Sequence, residues 1–161
     1  MDYIISKMKK FIISLIVIIL SFILFIPIFP KLIINKKVFN IRSKEFVISY
    51  IHSVNKGKVR DYYIIKNKNI ILSKTRFVSY GAGIPEPEYG QKFIIMDDYA
   101  EISDINKKID DLYLFVGTIA NHKIEIDESE IELKKIFKPQ TSIKIEYKIL
   151  SLFEYIKLNI L

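Results

Sequence analysis

The sequence predicts an all-β domain, an antiparallel sandwich or small barrel of about eight to nine strands, behind one N-terminal transmembrane helix. Three observations lead there. The chain has 161 residues, 50% of them hydrophobic, and its mean hydropathy of +0.22 is high for a soluble domain. One long uncharged run sits near the start, Phe11 to Phe29. Beyond Lys37 the helical period vanishes, and short runs of Ile, Val, Phe and Tyr recur between turn residues.

The N-terminal segment reads as a membrane anchor. Residues 11–29 carry no charge, and only Ser14, Ser21 and Pro27 interrupt their apolar character. A helix of that length spans about 28 Å, the thickness of a bilayer's hydrocarbon. Lys7, Lys9 and Lys10 precede it. A cleaved signal peptide is the competing reading, with a shorter apolar core ending in a small-x-small site. Ile26-Pro27-Ile28-Phe29-Pro30 offers no such site. Lys31, Lys36, Lys37 and Arg42 follow the run, so the positive-inside count is nearly balanced. The signal-like layout favours residues 1–10 as a cytoplasmic tail and the domain outside, in a single-pass protein of the cell membrane. Residues 30–42 read as a basic linker.

The β-domain is expected over residues 43–148. Its candidate strands are Glu45–Ile51, Arg60–Lys66, Asn69–Ser73 continued by Thr75–Tyr80, Phe93–Met96, Leu112–Thr118, Lys123–Ile126, Ile131–Ile136 and Ser142–Lys148. The second and third join across Lys66-Asn67-Lys68-Asn69 as a hairpin. Lys123–Ile126 alternates polar and apolar, as a sheet with one wet face should. Asp104–Asp111 has room for one helical turn. The tail, residues 149–161, suits a helix through Leu150, Phe153, Glu154 and Lys157, and a strand through its Ile and Tyr.

Composition excludes several chemistries. Cysteine is absent, so disulfides, thiolate catalysis and cysteine-held metals are ruled out. Residues 1–42 carry seven basic side chains against one acid, while residues 43–161 carry eighteen against seventeen. The basic pI of about 9.4 therefore belongs to the first segment. The nearly neutral domain lacks the basic face that nucleic acid needs. Asp97-Asp98, Asp110-Asp111 and Glu125–Glu132 have no EF-hand spacing, and two histidines alone make no zinc site. No cofactor or metal is expected, and no catalytic residue.

Two short motifs stand out. His52-Ser53 closes the first strand; neighbours on a strand point to opposite sides, which disfavours a nucleophile–base pair. Gly81-Ala82-Gly83-Ile84-Pro85-Glu86-Pro87 gathers two of five glycines and two of five prolines in a shaped loop. It is either a bend between strands or a nest of backbone amides that rims a ligand. A meander of three strands would bring the loop to the same end as His52. His122, in Ala120-Asn121-His122-Lys123, belongs to a tight turn.

Tyr50-Ile51-His52-Ser53-Val54, then Asp61, then Thr75-Arg76-Phe77-Val78-Ser79-Tyr80-Gly81-Ala82-Gly83-Ile84-Pro85 resembles an uncharacterised bacterial family, domain of unknown function 1850 (DUF 1850), over roughly residues 38–148. Its pattern often has Glu after the Val, where this chain has Asn55. The resemblance implies a small secreted or anchored protein associated with TRAP-type transporters of the TAXI class, with no inherited catalytic activity. The residues expected to contact a ligand or position the loop are His52, Ser53, Asn55, Asp61, Ser79, Tyr80, Gly81, Ala82, Gly83 and Pro85. The expected function is an accessory or binding subunit of such a transporter. The alternative is a free-standing binding module of the cell envelope, with a hydrolase or metalloenzyme as a third class. Expected partners are the lipid bilayer through residues 11–29 and a TRAP-type permease or its solute-binding protein.

Overall fold

The computed structural model describes residues 2–80, 84 and 86–160. Helix α1 covers Asp2–Phe25. Twelve strands follow: β1 Phe29–Ile34, β2 Lys37–Asn40, β3 Glu45–Ile51, β4 Lys58–Lys66, β5 Asn69–Phe77, β6 Lys92–Ile95, β7 Ala100–Ser103, β8 Lys107–Ile109, β9 Leu112–Val116, β10 Lys123–Ile126, β11 Ser129–Glu132 and β12 Thr141–Leu150. A 3-10 turn at Leu133–Lys135 precedes β12, and helix α2, Leu152–Ile160, ends the described chain.

The strands form two antiparallel sheets. The smaller runs β2-β1-β12-β9, and the larger β11-β10-β3-β4-β5-β7-β6. Strand β8 pairs with the start of β5 and β7 with its end, so two short strands share one long neighbour. Opposite this changeover the β4–β5 register slips between Tyr62 and Tyr63. The main core lies between the sheets. Leu32, Ile34, Val116, Ile143 and Ile145 of the smaller sheet meet Phe46, Ile48, Tyr63, Ile70, Ile124 and Ile126 of the larger. A second cluster, Val59, Phe77, Ile84 and Ile102, holds residues of the larger sheet and the segment after it.

The all-β expectation holds, and the β4–β5 hairpin is where the sequence places it. Asn67 (φ 51°) and Lys68 (φ 64°) are both left-handed, the geometry of a two-residue turn matched to strand twist.

Several boundaries need correction. The apolar helix starts well before residue 11 and stops at Phe25, because Pro27 cannot continue it. Residues 30–42 are not a linker. They hold β1 and β2, joined at Asn35 (φ 46°) and Lys36 (φ 75°) by another two-residue turn. Leu32, Ile33 and Ile34 are buried, and their flanking lysines hide this in the sequence. Asp104–Asp111 forms no helical turn: Lys107–Ile109 extends along β5 as β8. Ile131–Ile136 is divided between β11 and the 3-10 turn. The undecided tail is helical from Leu152.

Helix α1 is long and apolar enough to cross a membrane over Tyr3–Phe25, and none of that span is buried by the rest of the chain.

Candidate functional site

The period of a strand places Val59, Asp61 and Tyr63 on one face of β4. Val59 and Tyr63 are core residues, so Asp61 is a carboxyl on an otherwise apolar face. Its strand neighbours are Ile48 on β3 and Thr75 on β5. Thr75 is buried, and its hydroxyl donates to Asp61 Oδ1 at 2.8 Å. Above them opens a cavity of about 550 Å³, walled by Tyr50, Asp61 and Thr75. Glu86, Glu88 and Gln91 line it from the segment after Ile84, and Lys107 from β8. The core side chains contribute Val59, Leu72, Ile84 and Ile105.

Asp61 is half-buried: the cavity reaches it, but protein surrounds most of the carboxyl. Burial pushes its pKa above the usual carboxylate range, and the hydrogen bond from Thr75 opposes that rise. Among the described residues no lysine or arginine forms an ion pair with it. Burial pushes the Tyr50 phenol up to about 12, and the nearby Asp61 charge adds to the effect. Burial, then Asp61, also raises Tyr63. A carboxyl whose charged form is disfavoured, set in a concave pocket, suits recognition of hydrogen-bond donors or a cation.

The other expected residues lie at the turn between β3 and β4. His52 is buried, and its Nδ1 accepts from the backbone N–H of Val54 (3.3 Å) and Asn55 (3.5 Å). The His52 backbone N–H donates to Gly57 O at 2.9 Å. Ser53 is exposed, and its carbonyl accepts from Lys56 Nζ at 2.6 Å. Asn55 Oδ1 accepts from Gly57 N–H at 3.0 Å. Its Nδ2 donates to Ser79 O (3.1 Å) and Tyr80 O (2.9 Å).

Asn55 therefore ties the turn to the segment that enters the glycine-rich loop. A carboxylate at this position would have no N–H to make those two bonds. Gly57 lets the strands close here: a Cβ on it would meet Ser79 Oγ at 3.0 Å and Asn55 Oδ1 at 3.2 Å. The Tyr80 ring packs edge-on against Phe77 at 4.7 Å. Gly81, Ala82, Gly83 and Pro85 lie outside the described residues.

The expected residues thus divide. His52, Asn55, Ser79 and Tyr80 gather at the turn, with Ser53 facing solvent, while Asp61 sits apart in the cavity. Tyr50 and Thr75 lie within the recognised motifs but outside the set of expected ligand contacts. Strand alternation alone puts Tyr50 and Asp61 on the core face. Glu86, Glu88, Gln91 and Lys107 reach the cavity by chain folding that no local pattern announces. His122 stands behind the wall, its ring 5.6 Å from Tyr50 and its Nδ1 accepting from Gly117 N–H at 3.3 Å. Burial lowers its pKa. Among the described residues no group of three or more His, Asp or Glu side chains is placed to hold a metal ion.

Comparison with protein families matches residues 46–133 to a family described as domain of unknown function (DUF1850). The chain belongs to that family. No curated protein and no solved structure matches the chain.

Proposed function

We propose that this member of the DUF1850 family is a membrane-anchored, extracytoplasmic binding subunit that serves a TRAP-type solute transporter of the TAXI class. Helix α1 is its anchor in the cell membrane, with the lysine-bearing end inside and the β-domain outside. The length of the span and the lack of a small-x-small site support an anchor over a cleaved signal. Lys7, Lys9 and Lys10 support the orientation. The transporter assignment rests on the family resemblance.

The observation that carries the binding role is the cavity around Asp61. Its chemistry fits a small polar solute with hydrogen-bond donors or a positive charge, received by Asp61, Glu86 and Glu88. Among the described residues that wall the cavity there is no histidine, and the polar ones, Asp61, Thr75, Glu86, Glu88, Gln91 and Lys107, suit hydrogen bonding and charge recognition, which supports the binding reading. His52 spends its Nδ1 on its own turn.

The test uses the full-length protein. Crosslinked in native membranes and captured by a tag, it should bring down the permease or solute-binding subunit of a TRAP transporter, identified by peptide mass. Candidate solutes screened by melting temperature should include one that raises the Tm of the wild type and not of Asp61→Asn. A ligand without a transporter subunit would move the reading to a free-standing envelope module. If no transporter subunit is captured and no solute raises the Tm, both readings fail. Protease added to intact protoplasts should digest the domain and leave an N-terminal stub.

A further inference from the structure

We infer that α2 is a second membrane-contact element, lying in the lipid interface beside the point where α1 leaves the bilayer. This rests on the reading of α1 as an anchor.

The argument begins with the strand register. Phe29, which opens β1, pairs with Leu150, which closes β12, and Ile28 N–H donates to Leu150 O at 3.1 Å. The end of α1 and the start of α2 are thereby held at one end of the smaller sheet. Ser151-Leu152-Phe153-Glu154 is a capping box that starts α2 there. Ser151 Oγ accepts from Glu154 N–H at 3.2 Å, and Glu154 Oε2 accepts from Ser151 N–H at 2.8 Å. Two aromatic contacts join the segments: Phe25 to Phe153 at 5.3 Å and Phe29 to Tyr155 at 6.1 Å between centroids.

Helix α2 turns two apolar faces in different directions. Leu152, Tyr155 and Leu158 are half-buried. Phe153, Ile156 and Ile160 form a second stripe, 50%, 44% and 76% exposed. That stripe meets the bare apolar surface of α1 through the Phe25–Phe153 contact. A nine-residue helix is marginal in water, and one with such a face needs an apolar phase against it.

Charge at this end fits a lipid surface. Lys31 Nζ lies 4.7 Å above the Tyr155 ring. Lys68, at the tip of the β4–β5 hairpin, and Lys148 flank the cleft beside Pro27 and Glu154. Lys157 projects from α2 itself. Lysines around an apolar stripe suit anionic headgroups above acyl chains. The domain would then be held by two contacts, which fixes how it stands on the membrane and turns the His52 turn, at the opposite end of β4 from Lys68, away from the lipid.

The chain has no tryptophan, so single-tryptophan variants report without background. The full-length protein is reconstituted in phosphatidylcholine–phosphatidylglycerol vesicles with brominated acyl chains. Phe153→Trp and Ile160→Trp should show blue-shifted emission and lose intensity to bromine near the headgroups. Phe22→Trp on α1 should be quenched by deep bromine. Phe115→Trp, paired with Ser142 far along β12 from Leu150, should be unaffected. If Phe22→Trp is quenched while positions 153 and 160 are not, α2 does not touch lipid and the anchor stands. Blue-shifted but unquenched emission at 153 would mean that protein, a second copy or a permease, covers the stripe, and it overturns the proposal. An unquenched Phe22→Trp would overturn the anchor reading and this one together. Two variants in α2 guard against one that misfolds.

Discussion

Two stretches of the same sheet face differ in what covers them. Around Phe46, Ile48 and Tyr63 the larger sheet is roofed by the smaller one, and fourteen buried side chains interlock. Around Val59 and Phe77 the second sheet does not reach. Among the described residues the buried cluster there has four members, and Ile84 and the half-buried Ile105 cover it from outside the strands. The cavity opens at this change of cover, with Asp61 on its floor. A polar group on a core face is costly where packing is complete. It is tolerable where the roof is a loop and water or a ligand can reach it. The lesson is that the position of the site follows from the unequal lengths of the two sheets, not from any single motif.

The largest expected effect tests that contrast directly. Ile143→Ala removes a fully buried side chain between the sheets, and should cost about 4 kcal/mol. Ile84→Ala removes the same atoms beside an existing cavity, and should cost about 2 kcal/mol, because its surroundings are already open. Urea unfolding of the full-length protein in detergent, followed by circular dichroism, measures both. Equal losses would mean that the second cluster is as closely packed as the first, and the contrast would fail.

A smaller effect concerns how the loop cover is tethered. Asn55→Ala deletes two N–H donations to the Ser79 and Tyr80 carbonyls and one acceptor for Gly57. The cost should be about 1–2 kcal/mol, read as a lower Tm, with faster amide exchange over residues 77–80. Asn55→Asp keeps the acceptor and loses the donors, so it should recover only part of the loss. If amide exchange over residues 77–80 is unchanged in both, the segment is held by something other than Asn55.

Much of this was legible in the chain. Alternation in Lys123–Ile126 and the Asn67-Lys68 turn both name their structures, because one residue type at one spacing settles the local geometry. Strands β1 and β2 were hidden because lysines on their wet faces resemble a linker's charge. The Asn35-Lys36 pair carried the same turn signal as Asn67-Lys68. Propensity alone does not choose between helix and strand for α2, although Ser151 with Glu154 three positions later marks a helix start. Strands β7 and β8 are short, and each gains its place from β5 rather than from its own sequence. For the site, the Val59-Asp61-Tyr63 alternation already placed a carboxyl among core residues. The approach of Glu86, Glu88, Gln91 and Lys107 depends on tertiary closure, which one sequence does not encode locally.

The smallest expected effect is one of sign. Burial raises the Asp61 pKa in the folded protein, so the folded state keeps this proton to higher pH than the unfolded chain does. Stability from this group is present below the unfolded carboxyl pKa of about 3.9, and is lost as pH rises through the folded value. Asp127 works in the opposite direction. The backbone N–H groups of Ser43 and Arg42 hold its carboxyl below the usual range. Its contribution is present near neutrality and is lost as pH falls. The whole protein's pH profile therefore mixes both slopes, and only a difference isolates Asp61. Asp61→Asn keeps an oxygen to accept from Thr75 and has no proton to titrate. The variant and the wild type should match near pH 4, and the variant should be the more stable near pH 7 by urea unfolding. A variant less stable at pH 7 would mean that a positive group holds Asp61 ionised in the folded protein, which would make its end of the sheet a charge pair rather than an open site.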